Sequence, residues 1–283
     1  MKKELDRCHE IERTIITSYR KRIWSKFIKG ITDFEMIKDG DKIAVCISGG
    51  KDSMLMAKCF QELKKHGKQN FEVIYLCMDP GYNEKNRKMI ESNANLMNVP
   101  LEIFETDIFD RVVHIEENPC YLCARMRRGY LYEKAKEYGC NKIALGHHFD
   151  DVIETILMGM FYGAQMQTMM PKVKSTSHPG MQLIRPMYYV KEADVISWKE
   201  RNKLNFIQCA CRFTENCEIY DNGSSNSKRE EMKKLINNLR NVYSNIDMNI
   251  FQSVQNVNLD TIISYMKDGK THHFLEKFKE TKD

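Results

Sequence analysis

The sequence has no long apolar run and little excess of charge of either sign. Its most apolar stretch, residues 156–164, is about half the ~20 residues that a membrane-spanning helix needs. Residues 1–16 carry charges throughout, whereas a signal peptide has an apolar centre. The 44 Lys and Arg against 39 Asp and Glu leave a formal net charge of only +5. These absences argue against a membrane span and an export signal, so we expect a cytoplasmic protein with no membrane partner.

Internal repeats are also missing. Hydrophobic residues make up 42% and charged residues 29% of the 283 residues, which excludes disordered and collagen-like chains and predicts one large or two small domains. Ten cysteines are many for a chain expected in a reducing compartment, where structural disulfides are uncommon. They are therefore packing residues, catalytic thiols or metal ligands. Five fall in apolar patterns and are predicted to be buried small hydrophobes: Cys8, Cys46, Cys59, Cys77 and Cys140.

From residue 42 onward, short apolar runs alternate with helical patterns. This alternation predicts an α/β fold with a parallel, Rossmann-like sheet that helices cover on both faces. The predicted strands are residues 42–47, 71–78, 101–104 and 142–145, and the predicted helices are residues 54–63, 83–97, 150–161 and 192–201. In such sheets ligands bind beyond the carboxyl ends of the strands, where Ser48, Asp79 and Gly146 fall.

We predict three segments along the chain. They are an N-terminal helical segment (1–36), a central α/β domain (37–220) and a C-terminal helical extension (221–283). The helix predicted over 4–30 is basic in its second half, a pattern that fits a solvated face and an RNA-contacting face equally well. The finer predictions are a loop at 172–180, a linker at 221–227, and helices over 228–243 and 248–266.

The turn between the first predicted strand and helix has the sequence S-G-G-K-D-S. Two adjacent glycines let the backbone approach an anion closely, and the next helix presents unpaired N–H groups and its positive dipole end. Two serine hydroxyls and a lysine ammonium add donors, so this turn is predicted to bind phosphate. The spacing is too short for the Walker pattern. The residues are Ser48, Gly49, Gly50, Lys51, Asp52 and Ser53.

A second strand-to-helix turn has the sequence G-H-H-F-D-D at residues 146–151. Gly146 permits close approach, and Asp150 and Asp151 fall in the first turn of a predicted helix. Acidic residues there suit the helix dipole without any function. Paired histidines and paired aspartates at the carboxyl end of a strand nevertheless favour a functional site.

The cysteines outside the apolar patterns form two groups. Cys120 and Cys123 make a C-x-x-C at the start of a predicted helix, which places both sulfurs on one side. Alone, this motif is ambiguous between zinc, an iron–sulfur cluster and a redox pair. The downstream group of Cys209, Cys211 and Cys217 favours metal ligation, because thioredoxin-like chemistry has no need of distant thiols.

The motif S-G-G-x-D-S resembles the signature of the PP-loop ATP pyrophosphatases, whose fold is of the adenine nucleotide α-hydrolase type. The resemblance implies that residues 48–53 hold the pyrophosphate of ATP and that the substrate is adenylated, with Asp52 helping to hold Mg²⁺ and Lys51 stabilising the departing charge. The further residues that it implies at the nucleotide site are Cys77 and Met78, whose backbone would take adenine, Gly146 and His147, and either Asp150 or Asp151.

Longer motifs are similar to those of the tRNA-cytidine 2-sulfurtransferase family. They are P-C-Y-L-C-x-R-x-R-R-G at 119–129, K-I-A-L-G-H-H-x-D-D at 142–151, M-F-Y-G at 160–163 and I-R-P at 184–186. The likeness covers roughly residues 31–211. It implies ATP-dependent replacement of the 2-oxygen of a cytidine in tRNA, at position 32, with sulfur from a donor such as a cysteine desulfurase.

The same resemblance implies an oxygen-sensitive 4Fe–4S cluster that three cysteines hold, with one iron open to a sulfur species. Cys120 and Cys123 match two ligand positions. The third ligand normally ends a C-x-x-C, but this chain has C-x-C at Cys209 and Cys211. We favour Cys211 as the third ligand over Cys209, and both over Cys217.

Three arginines, Arg125, Arg127 and Arg128, follow the C-x-x-C and are predicted to contact RNA phosphates. A salt-bridged helix face without RNA is nearly as well supported. Two other functions stay open: a PP-loop iron–sulfur enzyme that acts on another nucleotide or a small molecule, and a non-catalytic zinc-stabilised RNA-binding protein. Sulfur transfer through a persulfide on Cys120 or Cys123 is an alternative mechanism. The sequence leaves open whether the C-terminal helices form a homodimer.

Overall fold

A computed structural model describes residues 6–67, 69–112, 119–207 and 228–280 of the chain. Its α-helices are α1 (Arg7–Ile16), α2 (Ser25–Asp33), α3 (Lys51–His66), α4 (Glu84–Leu96), α5 (Ile108–Val112), α6 (Pro119–Glu137), α7 (Phe149–Gly163), α8 (Glu192–Arg201), α9 (Lys228–Val242), α10 (Ile246–Ser253) and α11 (Phe274–Glu280). Its strands are β1 (Lys42–Ile47), β2 (Glu72–Asp79), β3 (Leu101–Glu105), β4 (Lys142–Ala144), β5 (Lys172–Lys174), β6 (Gln182–Ile184), β7 (Ser264–Lys267) and β8 (Lys270–His273). A π-helical turn, Arg20–Trp24, lies between α1 and α2.

The central sheet has six strands in the order β3-β2-β1-β4-β6-β5. The pairs β1–β2, β2–β3, β1–β4 and β4–β6 are parallel, and β5 pairs antiparallel with β6. Strand β1 is a continuous apolar run because a parallel strand is covered on both faces, and all its residues after Lys42 are buried. The predicted α/β fold with a parallel sheet is confirmed.

The register of the sheet brings the two motif-bearing turns together. In the β1–β4 pair, Val45 lies opposite Ala144, and in the β1–β2 pair, Ile47 lies opposite Cys77. Parallel strands end at the same edge of a sheet. The segments that follow β1, β2 and β4 therefore all leave the sheet on one side.

A buried lysine ties the N-terminal helix α1 to this domain. The Lys58 side chain is fully buried, and its Nζ donates to Glu12 Oε1 at 2.6 Å and to the Met97 carbonyl at 2.7 Å. Isoleucines of α1, Ile11 and Ile15, belong to the same hydrophobic core as the central strand β1. The first helix thus packs on the α/β unit through both apolar contacts and a satisfied buried charge.

The segment predicted as a loop over 172–180 begins instead with the edge strand β5. This strand is three residues long, and its residues are half-buried or exposed. Edge strands that are short and carry charged side chains have no alternating apolar pattern, so the sequence prediction was wrong here. Pairing with β6 supplies the strand's hydrogen bonds.

The helix predicted over 248–266 ends at Ser253, as α10, and a short 3₁₀ turn (Leu259–Thr261) and the β7–β8 hairpin follow. The hairpin turn has Asp268 at φ 51° and Gly269 at φ 75°. Positive φ at both central residues is the type I′ geometry that Asp-Gly favours. The preference of Asp-Gly for this turn therefore outweighs the helical spacing that predicted a helix over these residues. The linker predicted at 221–227 lies outside the described residues.

The chain divides into two units. One comprises the described residues of Met1–Val152 and Met169–Ser227, and the other those of Ile153–Thr168 and Lys228–Asp283. The segment boundaries predicted at 36/37 and 220/221 stay a prediction. Among the described residues, no helix is long and apolar enough to cross a membrane.

A buried ion pair at the start of β4 stabilises the first unit. Lys142 Nζ donates to Asp41 Oδ2 and, at 2.9 Å, to the Met36 carbonyl, and Asp41 also accepts from Asn141 and from the Lys38 N–H. Burial raises the pKa of the Asp41 carboxyl, but these hydrogen bonds outweigh it and hold the pKa below its ordinary value. The stability from this carboxylate is therefore complete above the unfolded pKa of about 3.9 and is lost as pH falls through the lower folded pKa.

Replacing Lys142 with Met is expected to lower the free energy of unfolding by about 3–5 kcal/mol, because it leaves a buried carboxylate without its cation. Chemical denaturation at pH 7 measures this loss. The matched control is Lys134→Met, which removes an exposed ion pair with Glu137 and should leave the denaturation midpoint unchanged within error. Equal stability of the Lys142→Met variant and the wild type would contradict the role of the buried pair.

Candidate active site

The first loop of the site joins β1 to α3 through two glycines. Gly49 has φ +81°, a left-handed conformation that favours glycine. A Cβ at this position would lie 2.5 Å from Ile90 and 2.7 Å from Ile207, so there is also no space for a side chain. The loop therefore needs glycine for both backbone and packing reasons, and it directs the N-terminus of α3 toward the carboxyl edge of the sheet.

The serine hydroxyls of this loop brace its shape. Ser53 Oγ accepts from the Ser48 N–H at 3.1 Å and from the Ser48 hydroxyl at 3.2 Å, and it donates to the Gly50 carbonyl at 3.0 Å. Ser53 is buried, whereas Ser48 is more exposed. Ser53 thus holds the turn closed, and the outer hydroxyl and the first N–H groups of α3 are the donors that an anion can reach.

Lys51 bridges two acidic side chains at the N-terminus of α3. Its Nζ donates to Asp52 Oδ2 at 3.1 Å and to Glu192 Oε1 at 3.2 Å. Burial lowers the pKa of Lys51, but these two carboxylates outweigh it, so the pKa lies above its ordinary value. The ammonium is therefore charged at neutral pH and can counter the negative charge of a phosphate.

The second loop, after β4, lies directly against the first. A Cβ on Gly146 would lie 3.2 Å from the Ser53 nitrogen and 3.3 Å from the Asp52 carbonyl carbon, which are backbone atoms that cannot easily move. Glycine therefore allows the two loops to touch. Next to it, His147 Nδ1 accepts from Arg185 Nε at 3.3 Å.

Acidic side chains and one histidine converge between the two loops. Asp151 Oδ2 accepts from the His148 N–H at 2.9 Å, and His148 Nε2 lies 3.9 Å from Asp52 Oδ1. Asp150 is buried and accepts from the Glu192 N–H at 2.6 Å, so it caps the start of α8. Asp52 Oδ1 is buried and has no hydrogen-bond partner among the described residues. A buried carboxylate oxygen without a donor, in a pocket that Asp151 also lines, fits a hard divalent cation such as Mg²⁺.

These loops and helix α6 enclose a pocket of about 510 Å³, within the range of cofactor sites. The predicted site residues that line it are Ser48, Lys51, Asp52, Ser53, Met78, Gly146, His147, Asp151, Arg127 and Arg128. Gly49, Gly50, Cys77, Asp150 and Arg125 are predicted site residues outside its lining. Helix α6 contributes Ala124, the residue after the C-x-x-C, to the same wall.

Of the predicted cluster ligands, the structure describes one side chain. Cys123 is buried on α6 and packs with Met78, Ile108 and Phe109. Cys120 lies in the first turn of α6, three residues earlier, but its side chain is outside the described residues. Cys209, Cys211 and Cys217 also lie outside them, so the third ligand stays a prediction.

The five cysteines predicted as buried hydrophobes are all buried. Burial raises the pKa of the Cys77 thiol to about 12 and of the Cys140 thiol to about 11, and it also raises the pKa of the Cys46 and Cys59 thiols. Thiols that stay protonated are poor nucleophiles and poor ligands. The prediction that these five cysteines are buried is confirmed, and Cys8 also accepts a hydrogen bond from the buried Lys58 ammonium at 3.5 Å.

Comparison with known proteins agrees with this geometry. A family model described as a PP-loop domain matches residues 20–214. A tRNA-cytidine(32) 2-sulfurtransferase of Polaromonas naphthalenivorans is 34% identical over 261 residues, which cover 90% of this chain and 77% of the relative. One of Hahella chejuensis is 34% identical over 276 residues, which cover 94% and 90%. A solved U34-tRNA thiolase, NcsA from Methanococcus maripaludis with its [4Fe-4S] cluster, matches with a TM-score of 0.62 and 23% identity, over 84% of this chain and 82% of that one.

The fold, the two glycine-containing loops and the matching family model define the chain as a member of the PP-loop family of ATP-using enzymes. The solved neighbour supports the same fold. Because the sequence relatives are matched over most of their own length, the chain belongs to the tRNA-cytidine(32) 2-sulfurtransferase family. The resemblance drawn from the motifs is thereby confirmed.

Two residues of the site escaped the sequence analysis. Glu192 binds Lys51 through its side chain and Asp150 through its backbone N–H. Arg185 contacts His147. In the sequence, Glu192 is only the first residue of a predicted helix, and Arg185 is only the centre of I-R-P. Their connection to the two loops depends on contacts between residues that are distant in sequence.

Proposed function

We propose that the protein is an ATP-dependent tRNA sulfurtransferase that converts a cytidine, at position 32 of tRNA, into 2-thiocytidine. One observation carries the proposal: α6, the helix with the C-x-x-C, lines the same pocket as the SGGKDS loop through Ala124, Arg127 and Arg128. A nucleotide-activating loop and a thiol-bearing helix therefore face one cavity. The family of the chain supports the same reaction.

The first half of the reaction is activation of the base. The 2-oxygen of cytosine is a poor leaving group, and transfer of AMP to it makes a good one. Residues 48–53 and the N-terminus of α3 would bind the pyrophosphate of ATP, and Lys51 would stabilise the charge that develops as pyrophosphate leaves. The backbone of Cys77 and Met78, at the end of β2, would take the adenine.

Mg²⁺ would be held by Asp52 and Asp151 rather than by Asp150. Asp52 presents the buried oxygen without a donor, and Asp151 lines the pocket. Asp150 accepts a hydrogen bond from the start of α8 and lies outside the pocket lining. The cation would neutralise phosphate charge, and Glu192 would keep Lys51 aligned with the loop.

The second half of the reaction is the delivery of sulfur. Cys120 and Cys123, one turn apart on α6, and Cys211 as third ligand would hold a 4Fe–4S cluster. Such a cluster, with three protein ligands, would supply an iron site without a protein ligand, whose chemistry is to bind sulfide for attack on carbon 2 of the activated base. The position of Cys123 in the wall behind Met78 would place this sulfur near the nucleotide pocket. Arg127 and Arg128 would hold RNA phosphates at the pocket.

Nucleoside mass spectrometry of tRNA from cells that lack this protein tests the proposal. We expect 2-thiocytidine to disappear and to return when the wild-type gene is supplied. Unchanged 2-thiocytidine in the deletion strain would contradict the proposal. A protein that binds zinc in place of iron after anaerobic purification, and that needs no residue of the SGGKDS loop, would instead indicate a non-catalytic RNA-binding protein.

A further inference from the structure

A second cavity, which we call the hairpin groove, lies between helix α6 and the β5–β6 hairpin. Its volume is about 610 Å³, and α6 lines it with Arg125 and Arg128. The hairpin contributes Lys174, Ser175 and the residues that follow. None of the nucleotide-binding motifs includes this hairpin.

The charge of the hairpin groove is entirely positive. Arg125, Arg128, Lys174 and Arg185 line it, and its lining, drawn from the described residues, contains no Asp or Glu. Arg125, Arg128 and Lys174 are exposed, so a large ligand can reach them. Four cations that converge without a carboxylate form a field that attracts a polyanion.

Arg185 is the most deeply buried of these four cations. It is only 9% exposed, and its hydrogen bonds go to the His147 ring nitrogen and to the Met170 carbonyl, which are not carboxylates. Burial lowers the pKa of Arg185 to about 10, so the guanidinium stays charged at neutral pH. Asp151 also attracts this guanidinium, but a buried cation with no hydrogen-bonded carboxylate is costly. An anion in the groove would offset that cost.

The uncharged part of the groove suits a nucleotide chain. The hydroxyls of Ser175, Thr176 and Ser177 line it and are donors for phosphate or ribose oxygens. Beside them the Tyr132 and His178 rings stack, with centroids 5.0 Å apart and an angle of 19° between the planes. Tyr132 is buried, so only the half-buried His178 ring of this pair is partly open to the groove, where an aromatic ring beside arginines can stack on an unpaired base.

The groove and the active-site pocket share a wall. Arg128 lines both cavities, and Arg185 reaches from the groove to His147 of the second loop. An RNA strand that lies in the groove would therefore continue toward the active-site pocket.

We propose that the hairpin groove binds the sugar–phosphate backbone next to the target nucleotide and directs that nucleotide into the active-site pocket. The ligand class, an RNA strand, rests on the proposed function. Arg125, Arg128 and Lys174 contact phosphates at the surface, and Arg185 holds the phosphate nearest the pocket. The β5–β6 hairpin is thus a substrate-positioning element.

The test is titration of an unmodified tRNA transcript with the full-length, anaerobically purified protein, without ATP, at several salt concentrations. The variants are Lys174→Ala and the double variant Arg125→Ala with Lys174→Ala. We expect Kd to rise several-fold and the slope of log Kd against log salt to fall by about 1 for each lost phosphate contact. The control is Lys136→Ala, which removes an exposed charge of α6 outside the groove lining and should leave both quantities unchanged.

Two further readouts separate the failure of the groove from the failure of the function. ATP affinity and circular dichroism show that the variants are folded. If the double variant has the Kd and salt slope of the wild type while the wild type still thiolates tRNA, the groove does not bind the RNA strand. The proposed function is then unaffected. If the wild type binds RNA through the groove but makes no 2-thiocytidine when all reaction components are present, the groove proposal is supported and the proposed reaction is contradicted. At constant ionic strength, displacement of the transcript by millimolar phosphate would also overturn the groove as a strand-binding site.

Discussion

The Asp52→Asn variant is expected to release pyrophosphate about 10²–10³-fold more slowly than the wild type, the usual loss when one preorganised electrostatic contact to the reacting groups is removed. Asp52 has one oxygen bound to Lys51 and one buried oxygen without a hydrogen-bond partner among the described residues. The neutral amide keeps the shape of the side chain but is a far weaker ligand for Mg²⁺. Pyrophosphate release with tRNA and ATP measures the effect.

The matched control for this variant is Asp107→Asn. Asp107 is exposed and forms a surface ion pair with Arg111, so its replacement should leave the rate unchanged. Iron content and visible absorbance of Asp52→Asn should equal those of the wild type, because the carboxylate and the cysteines have separate roles. A wild-type rate, or the loss of iron together with activity, would contradict the assignment.

The Cys123→Ala variant is expected to lose its visible sulfur-to-iron absorbance and all thiolation while keeping its affinity for ATP. Cys123 packs with Met78, which lines the nucleotide pocket, and the next residue, Ala124, lines it too, so a cluster held by this thiol would lie beside the pocket. With one of three ligands missing, the cluster has too few thiolates to be retained. Anaerobic purification with iron analysis, absorbance spectra and an ATP-binding titration measures the three properties.

Cys140→Ala is the control that separates ligation from packing. Cys140 is equally buried, and burial raises the pKa of its thiol to about 11, but it lies at the far end of the sheet core with Ile143 and Leu183. Its variant should keep colour and activity. Full activity of Cys123→Ala without iron would refute cluster ligation, and a persulfide on Cys120 would then become the better mechanism.

The nucleotide-binding half of the molecule was predictable from local sequence. The run K-I-A-V-C-I is apolar at every position after its lysine because both faces of β1 are covered. Glycines next to serine and lysine predict an anion-binding turn because few other functions need that set in that order. The edge shared by β1, β2 and β4 then follows from the parallel register, which brings residues 48–53 and 146–151 together.

The parts that escaped prediction depend on contacts distant in sequence or on a few backbone angles. The link from Glu192 to Lys51 spans the fold and leaves no local pattern. Strand β5 is too short and too exposed to show alternation, yet it forms one wall of the hairpin groove. The β7–β8 hairpin follows from an Asp-Gly turn inside a segment with helical spacing. Each of these features has a physical cause, but that cause can be recognised only in the folded structure.

The proposed reaction, in which this chain activates a cytidine with ATP and replaces its oxygen by sulfur, can be measured directly with purified components. The components are anaerobically purified protein with its iron, a tRNA transcript with cytidine at position 32, ATP, Mg²⁺ and sulfide. Nucleoside mass spectrometry then quantifies the product. We expect one 2-thiocytidine at that position, formed with one AMP and one pyrophosphate. Iron-loaded protein that binds the transcript and ATP but forms neither AMP nor 2-thiocytidine would contradict the proposed reaction.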